Sequence, residues 1–120
     1  MIVEKILRQS LLYDFYGELL TEHQKNIYED VVMDDMSYSE VARAYGISRQ
    51  GVYDMIKRCD KILEDYEDKL KLVEKFVSAR DTIADIKVKL DNLKNINKDE
   101  IVNELIDDID KQTMNLLEEF

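Results

Sequence analysis

The amino-acid sequence predicts an all-α protein, and three observations carry that prediction. Its 120 residues contain no proline and only three glycines, so little interrupts a helix. Apolar residues recur at three- and four-residue steps along most of the chain. At three of the breaks between such runs, Thr, Ser or Asn stands three residues before Gln or Glu, the spacing of a helix-start capping box.

The first run comprises Ile6, Leu7, Leu11, Leu12, Phe15, Leu19 and Leu20 and predicts a helix over about residues 3–19. Thr21 and Gln24 then cap a second helix reaching Met33, with Ile27, Val31 and Val32 inward and Tyr28 at the edge. Asp34-Asp35-Met36 is a polar link. Ser37 and Glu40 cap a short third helix over 38–45, whose packing side is Val41, Ala42 and Tyr45. Gly46 suits the residue after a helix, where φ is positive, and Ile47 can plug the corner. Ser48 is a good N-cap for the next helix.

That fourth helix is expected to be long. Val52, Ile56, Cys59, Leu63, Tyr66, Leu70 and Val73 make one stripe, which continues to about Phe76 or Val77. A break is expected near Ser78-Ala79-Arg80. Thr82 to Leu93 carries Ile83, Ile86 and Leu90 at helical spacing, and Asn92, Asn95 and Asn97 mark a loop. Asn97 and Glu100 read as the third capping box, before a last helix with Ile101, Leu105, Ile109, Leu116 and Leu117.

Composition narrows the function. The formal net charge is −10, which opposes wrapping of nucleic acid or adsorption to an anionic membrane. The charge is uneven. Residues 37–60 hold Arg43, Arg49, Lys57 and Arg58 against Glu40, Asp54 and Asp60, a balance of +1, whereas the segments on either side are strongly acidic. A single cysteine, Cys59, forbids an internal disulfide and leaves zinc without thiolate partners; on the inward stripe it reads as a small hydrophobe. His23, the single histidine, reads as a surface residue. Asp107, Asp108 and Asp110 lack the glycine and spacing of a calcium loop and read as a solvated acidic face. Gly46 and Gly51 are spaced as in a phosphate-binding loop, but Val52 and Tyr53 stand where that loop needs Lys and Ser or Thr. No nucleophile, base and oxyanion donors cluster, so neither an enzyme nor a cofactor is expected. No membrane span and no signal-peptide core is evident, and a cytoplasmic location is expected.

Ser37 to Arg58 meets the requirements of a helix-turn-helix. A small residue, Ala42, permits close approach, Gly46 turns the chain, and the following helix exposes polar side chains near its start. At 100° per residue, Val52, Ile56, Cys59 and Leu63 face inward. Gln50, Asp54, Lys57 and Lys61 lie opposite, flanked by Tyr53 and Arg58. Arg49 in the first turn can reach phosphate or guanine, Gln50 can pair with adenine, and Asp54 can accept from cytosine. Arg43 on the preceding helix can hold a phosphate. With the cap Ser48, the candidate nucleic-acid site is Arg43, Ser48, Arg49, Gln50, Tyr53, Asp54, Lys57, Arg58 and Lys61. The same corner also occurs in helical bundles that touch no nucleic acid.

Two resemblances rest on these residues. Leu20-Thr21-Glu22, Ser37-Tyr38-Ser39-Glu40-Val41-Ala42 and Gly46-Ile47-Ser48-Arg49 resemble region 4 of bacterial sigma factors, which binds promoter −35 DNA. The segments LLYDFYGELLTEHQ, DDMSYSEVARAYGISRQGVYDMIKR and ILEDYEDKL are similar, in order and spacing, to the YlxM family of small bacterial helix-turn-helix proteins. The match covers about residues 1–76, and in residues 77–120 no resemblance is recognised. The resemblance implies a helix-turn-helix head similar to sigma region 4, and to the winged-helix superfamily without its wing, over residues 1–76. Residues 77–120 would then be an acidic helical extension, packed into the same unit or serving as a dimerisation arm. It implies binding to DNA or to signal recognition particle RNA. It also implies a regulatory link to that particle's pathway, because family members are encoded beside the pathway's GTPases; those GTPases are candidate partners. Arg49 and Gln50 occupy positions where sigma region 4 places DNA-reading Arg and Glu. Tyr53 and Asp54 replace its next Arg and Gln, which weakens phosphate attraction and argues against reading a −35 element. Tyr53 can instead stack on an unpaired base. The alternative is an acidic protein-interaction module that has lost DNA binding. Self-association is expected from apolar surface in excess of what a small head needs, although packing within one chain can bury the same stripe.

Overall fold

In a computed structural model the backbone of residues 2–120 is described, with side chains from Glu4 onward. Six α-helices run among the described residues: α1 (Ile2–Tyr16), α2 (Glu22–Tyr28), α3 (Tyr38–Tyr45), α4 (Arg49–Leu70), α5 (Leu72–Ile96) and α6 (Glu100–Glu118). No strand is found among the same residues. They form two compact units, Met1–Val73 and Glu74–Phe120.

The first unit is built around α4. Val52, Ile56, Cys59 and Leu63 form its buried stripe, against Leu12, Tyr16 and Leu20, Ile27 and Tyr28, and Val41 and Ala42. Burial of a side chain of this size contributes about 1.5–3 kcal/mol, so this stripe orients α4 and leaves its other face to solvent. α1 ends earlier than the spacing predicts, at Tyr16, and Gly17–Leu19 tightens into a 3₁₀ turn. A Cβ on Gly17 would stand 2.8 Å from the Tyr13 ring, which itself stacks on Tyr28 at 5.6 Å. Tyr28 is fully buried rather than at the edge. Its hydroxyl donates to Asp60 Oδ1 at 2.7 Å, which satisfies the polar end that burial strands. Asp60 also accepts from Gln9. After α2 the chain widens into a π-helical turn over Glu29–Met33, and Tyr13 donates a hydrogen bond to Glu29.

α4 ends at Leu70 instead of near residue 76. Lys71 takes a left-handed conformation, φ 58°, and α5 begins at once and runs unbroken through Ser78-Ala79-Arg80. The start of α5 is held by side chains distant in the chain. Tyr16 Oη accepts from the Leu72 amide at 3.1 Å and donates to Glu67 at 2.5 Å, and Glu67 accepts from the Val73 amide at 2.9 Å. The buried carboxylate of Glu67 thus satisfies amides that a helix start leaves free.

In the second unit the remainder of α5 and α6 make a helical hairpin. Ile83, Leu90 and Ile106 are its buried residues, and the Phe76 and Phe120 rings meet edge-on at 5.7 Å. Asp99 caps α6 by accepting from Ile101 and Val102, so it replaces Asn97 as the N-cap. Asn97 instead donates to Asn103 and accepts from it across the loop. Asp107 and Asp110 are not a free acidic face: they pair with Lys94 at 2.7 Å and Lys87 at 3.1 Å. No helix among the described residues is long and apolar enough to cross a membrane.

Candidate nucleic-acid interface

The corner between α3 and α4 is set by local chemistry. Ser37 and Glu40 close a reciprocal capping box at the start of α3, as Thr21 and Gln24 do for α2. Val41 and Ala42 are buried, which seats α3 on α4. Gly46 adopts φ 67° and ψ 33°, and the amides of Gly46 and Ile47 both reach the Ala42 carbonyl. Ser48 then accepts from the Gly51 amide at 2.9 Å and starts α4. Arg49 is the first residue of that helix, so its side chain leaves the corner at the exposed end.

All nine candidate residues are exposed. Gln50, Tyr53, Asp54, Lys57, Arg58 and Lys61 share the outer face of α4, while Arg43 lies in the last turn of α3. Their partners differ. Among the described residues Arg43, Arg49 and Arg58 make no hydrogen bond or ion pair, which leaves three guanidinium groups open to an anion. Gln50 donates to Asp54 at 2.9 Å, so the amide and carboxylate are tied to each other. Lys61 pairs with Asp65 at 3.4 Å. The Lys57 ammonium lies 5.3 Å from the centre of the Tyr53 ring, and the neighbouring Tyr53 hydroxyl raises its pKa above the usual lysine range.

Tyr38 joins this group although the sequence gives no reason to select it. It opens α3, and its ring meets Tyr53 edge-on at 5.9 Å and 70°. Only the packing of α3 on α4 brings these two rings together. They line an open cleft of about 550 Å³ with Arg49 and Gln50. On the inward side of the same helix, Cys59 is fully buried, and burial pushes its thiol up to about 11. His23 is exposed, with its ring edge-on to Tyr45 at 6.0 Å. Among the described residues no cluster of three or more His, Cys, Asp or Glu is placed to hold a metal ion.

Two helices joined at a left-handed glycine, the second with a cationic outer face, define a helix-turn-helix protein. The sequence family described as "Putative helix-turn-helix protein, YlxM / p13 like", UPF0122, matches residues 3–103, and the chain belongs to it. The match runs past residue 76, where the resemblance legible in the sequence stops, and takes in α5 and the start of α6. A UPF0122 protein of Shouchella clausii is 43% identical over 110 residues, covering 92% of this chain and 98% of that protein. One from Clostridium acetobutylicum is 44% identical over 109 residues, covering 91% and 94%. One from Bacillus mycoides is 37% identical over 110 residues, covering 92% and 98%.

Proposed function

We propose that the protein is a non-enzymatic, nucleic-acid-binding regulator that acts through the outer face of α4. The observation that carries this reading is the set of exposed, unpaired Arg43, Arg49 and Arg58 around the one segment of an acidic chain with a positive balance. Arg49 and Gln50 supply base-edge contacts, Arg43, Lys57, Arg58 and Lys61 supply phosphate contacts, and Ser48 fixes the helix start from which they project. Asp54 limits affinity by standing among them, and its bond to Gln50 reduces that cost. The regulated process is the signal recognition particle pathway, with that particle's RNA or duplex DNA as target and the cytoplasm as location. This assignment rests on the family resemblance. Replacing Arg43, Arg49 and Arg58 together with Ala tests the face. Binding to duplex DNA and to the particle's RNA should fall by at least tenfold with the fold intact, whereas unchanged affinity for both would reject it.

Residues 77–120 serve as a dimerisation arm in this reading. Ile101, Leu105, Ile109 and Leu116 are exposed on α6 and fall within an arc of about 80° at helical spacing. Apolar side chains in such a row favour burial against a second copy. Sedimentation of the Leu105→Glu variant beside the native protein checks this: the native protein should sediment as a dimer and the variant as a monomer.

A second reading has one observation in its favour. The net charge of −10 suits a basic protein surface better than a phosphate backbone. Here the chain binds the pathway's GTPases directly and touches no nucleic acid. Association with the GTPases that survives replacement of all three arginines would support it.

A further inference from the structure

The cleft beside Tyr38 and Tyr53 opens to solvent where α3 meets α4. Tyr53 is 38% exposed on the outer face of α4, and its ring contacts are the edge of Tyr38 and the Lys57 ammonium. An exposed Tyr53 ring beside a half-buried Tyr38 is an unusual use of surface on the segment that carries the cationic side chains, because Tyr53 forgoes the burial that its area would gain. Duplex DNA offers such rings little, since its base faces are covered by their neighbours in the stack. An unpaired base offers its whole face.

We propose that Tyr38, Arg49, Gln50 and Tyr53 form a binding site for a single unpaired nucleobase. The inference rests on the nucleic-acid reading above and specifies what that face selects. The four residues alone line the cleft, whose volume of about 550 Å³ accommodates a planar base with its sugar. The rings of Tyr38 and Tyr53 supply the stacking surface. The Arg49 guanidinium, which makes no hydrogen bond or ion pair among the described residues, supplies donors to a base edge. Gln50 uses its amide nitrogen on Asp54, so its carbonyl oxygen is turned to use as an acceptor. Donors and an acceptor beside one aromatic wall match the mixed edge that every base presents when unpaired. Lys57, already over the Tyr53 ring, is placed to meet the phosphate of the same nucleotide. The Tyr53 and Asp54 pair thus trades phosphate attraction for selection of looped or single strands.

The test uses 2-aminopurine, whose fluorescence falls on stacking. The intact protein is titrated against three probes of one sequence: an RNA hairpin with the base in its loop, the matching DNA hairpin, and a fully paired duplex. Anisotropy reports binding and the base reports stacking. The hairpins should bind at least tenfold more tightly than the duplex, with quenching only in the loops. Tyr53→Ala should remove the preference and the quenching, while Tyr53→Phe keeps both. Tyr38→Ala, at the other side of the cleft, should weaken hairpin binding without altering duplex binding. A difference between the two hairpins identifies whether the base comes from RNA or DNA. Equal affinity for hairpin and duplex without quenching overturns this inference and leaves the nucleic-acid reading standing. Retention of the preference in Tyr53→Ala also overturns it. Failure of all three probes to bind overturns both.

Discussion

Arg49 stands where the turn ends and α4 begins, exposed and unpaired, and its chemistry is readable directly from its position after Ser48. Neutralising one phosphate-contacting cation lowers the logarithmic salt slope by about 1. Lys57→Ala and Arg58→Ala should therefore each reduce that slope by about this amount in a salt titration, and an unaltered slope would show that the cation touches no phosphate. Cys59 behaves oppositely. Its thiol is buried and pushed up to about 11, so at pH 8 little thiolate forms. A chromogenic thiol reagent should react slowly with the native protein and promptly once urea unfolds it; rapid native reaction would contradict the packing. The sequence separates buried Cys59 from the exposed α4 positions Gln50, Tyr53, Asp54, Lys57, Arg58 and Lys61 because the 100° helical step places them on opposite sides. Tyr38 is hidden because its partner Tyr53 lies on another helix and no periodicity links the two.

At the scale of elements, helix starts are legible where a nearby side chain caps them and illegible where a distant one does. Thr21 with Gln24 and Ser37 with Glu40 are both visible as four-residue patterns. The start of α5 has no such pattern, because Tyr16 and Glu67 supply its hydrogen bonds from other elements. The stripe of Tyr66, Leu70 and Val73 also runs through the break without a change of period, and Lys71 stands where glycine would announce it. Lys71→Gly should thus stabilise the protein by up to about 1 kcal/mol, because a left-handed backbone costs a side-chain-bearing residue roughly that much. Gly46→Ala should do the reverse, destabilising by about 1 kcal/mol through the same conformation at φ 67°. Urea unfolding of both variants checks the pair of signs. Glu67→Ala removes the acceptor of the Tyr16 hydroxyl and the Val73 amide together and should cost about 2–4 kcal/mol, with Glu67→Gln milder. Equal stability of Glu67→Ala and the native protein would show that these bonds do not hold the α4–α5 break.

The whole molecule carries an alkaline limit in its tyrosines. Burial, then the hydrogen bond to Asp60, raises Tyr28 well above the ordinary value of 10.0, and burial with Glu29 raises Tyr13. Because the folded values are the higher ones, the stability these phenols contribute is complete below pH 10 and is lost as pH climbs through 10 toward the folded values. The thermal midpoint should decline gently from about pH 9, where Cys59 begins to cost stability, and fall steeply beyond 10. Tyr28→Phe should flatten that fall, and an equal fall in the variant would place its cause elsewhere. Charge at this scale also separates the local reading from the total. The chain is acidic at −10, so a nucleic acid held by the few cations of the α3–α4 corner should show a shallow salt slope. The all-α class and the helix-turn-helix were legible because both depend on spacing within about twenty residues. The exact place of the division, after Val73 and three residues before the sequence-based boundary, follows from contacts between elements.

Fluorescence anisotropy at about 0.15 M salt, where exposed charges are already screened beyond roughly 8 Å, decides whether the α3–α4 corner binds nucleic acid. Labelled duplex DNA and labelled signal recognition particle RNA are titrated in parallel with the native protein and with the Arg49→Ala, Lys57→Ala double variant, each against unlabelled competitor. Competitor-resistant binding of at least one of the two nucleic acids is expected, weakened in the double variant with a salt slope lower by about 1, from Lys57. Absence of binding to both, or binding by the double variant equal to the native protein, would show that this face holds no nucleic acid.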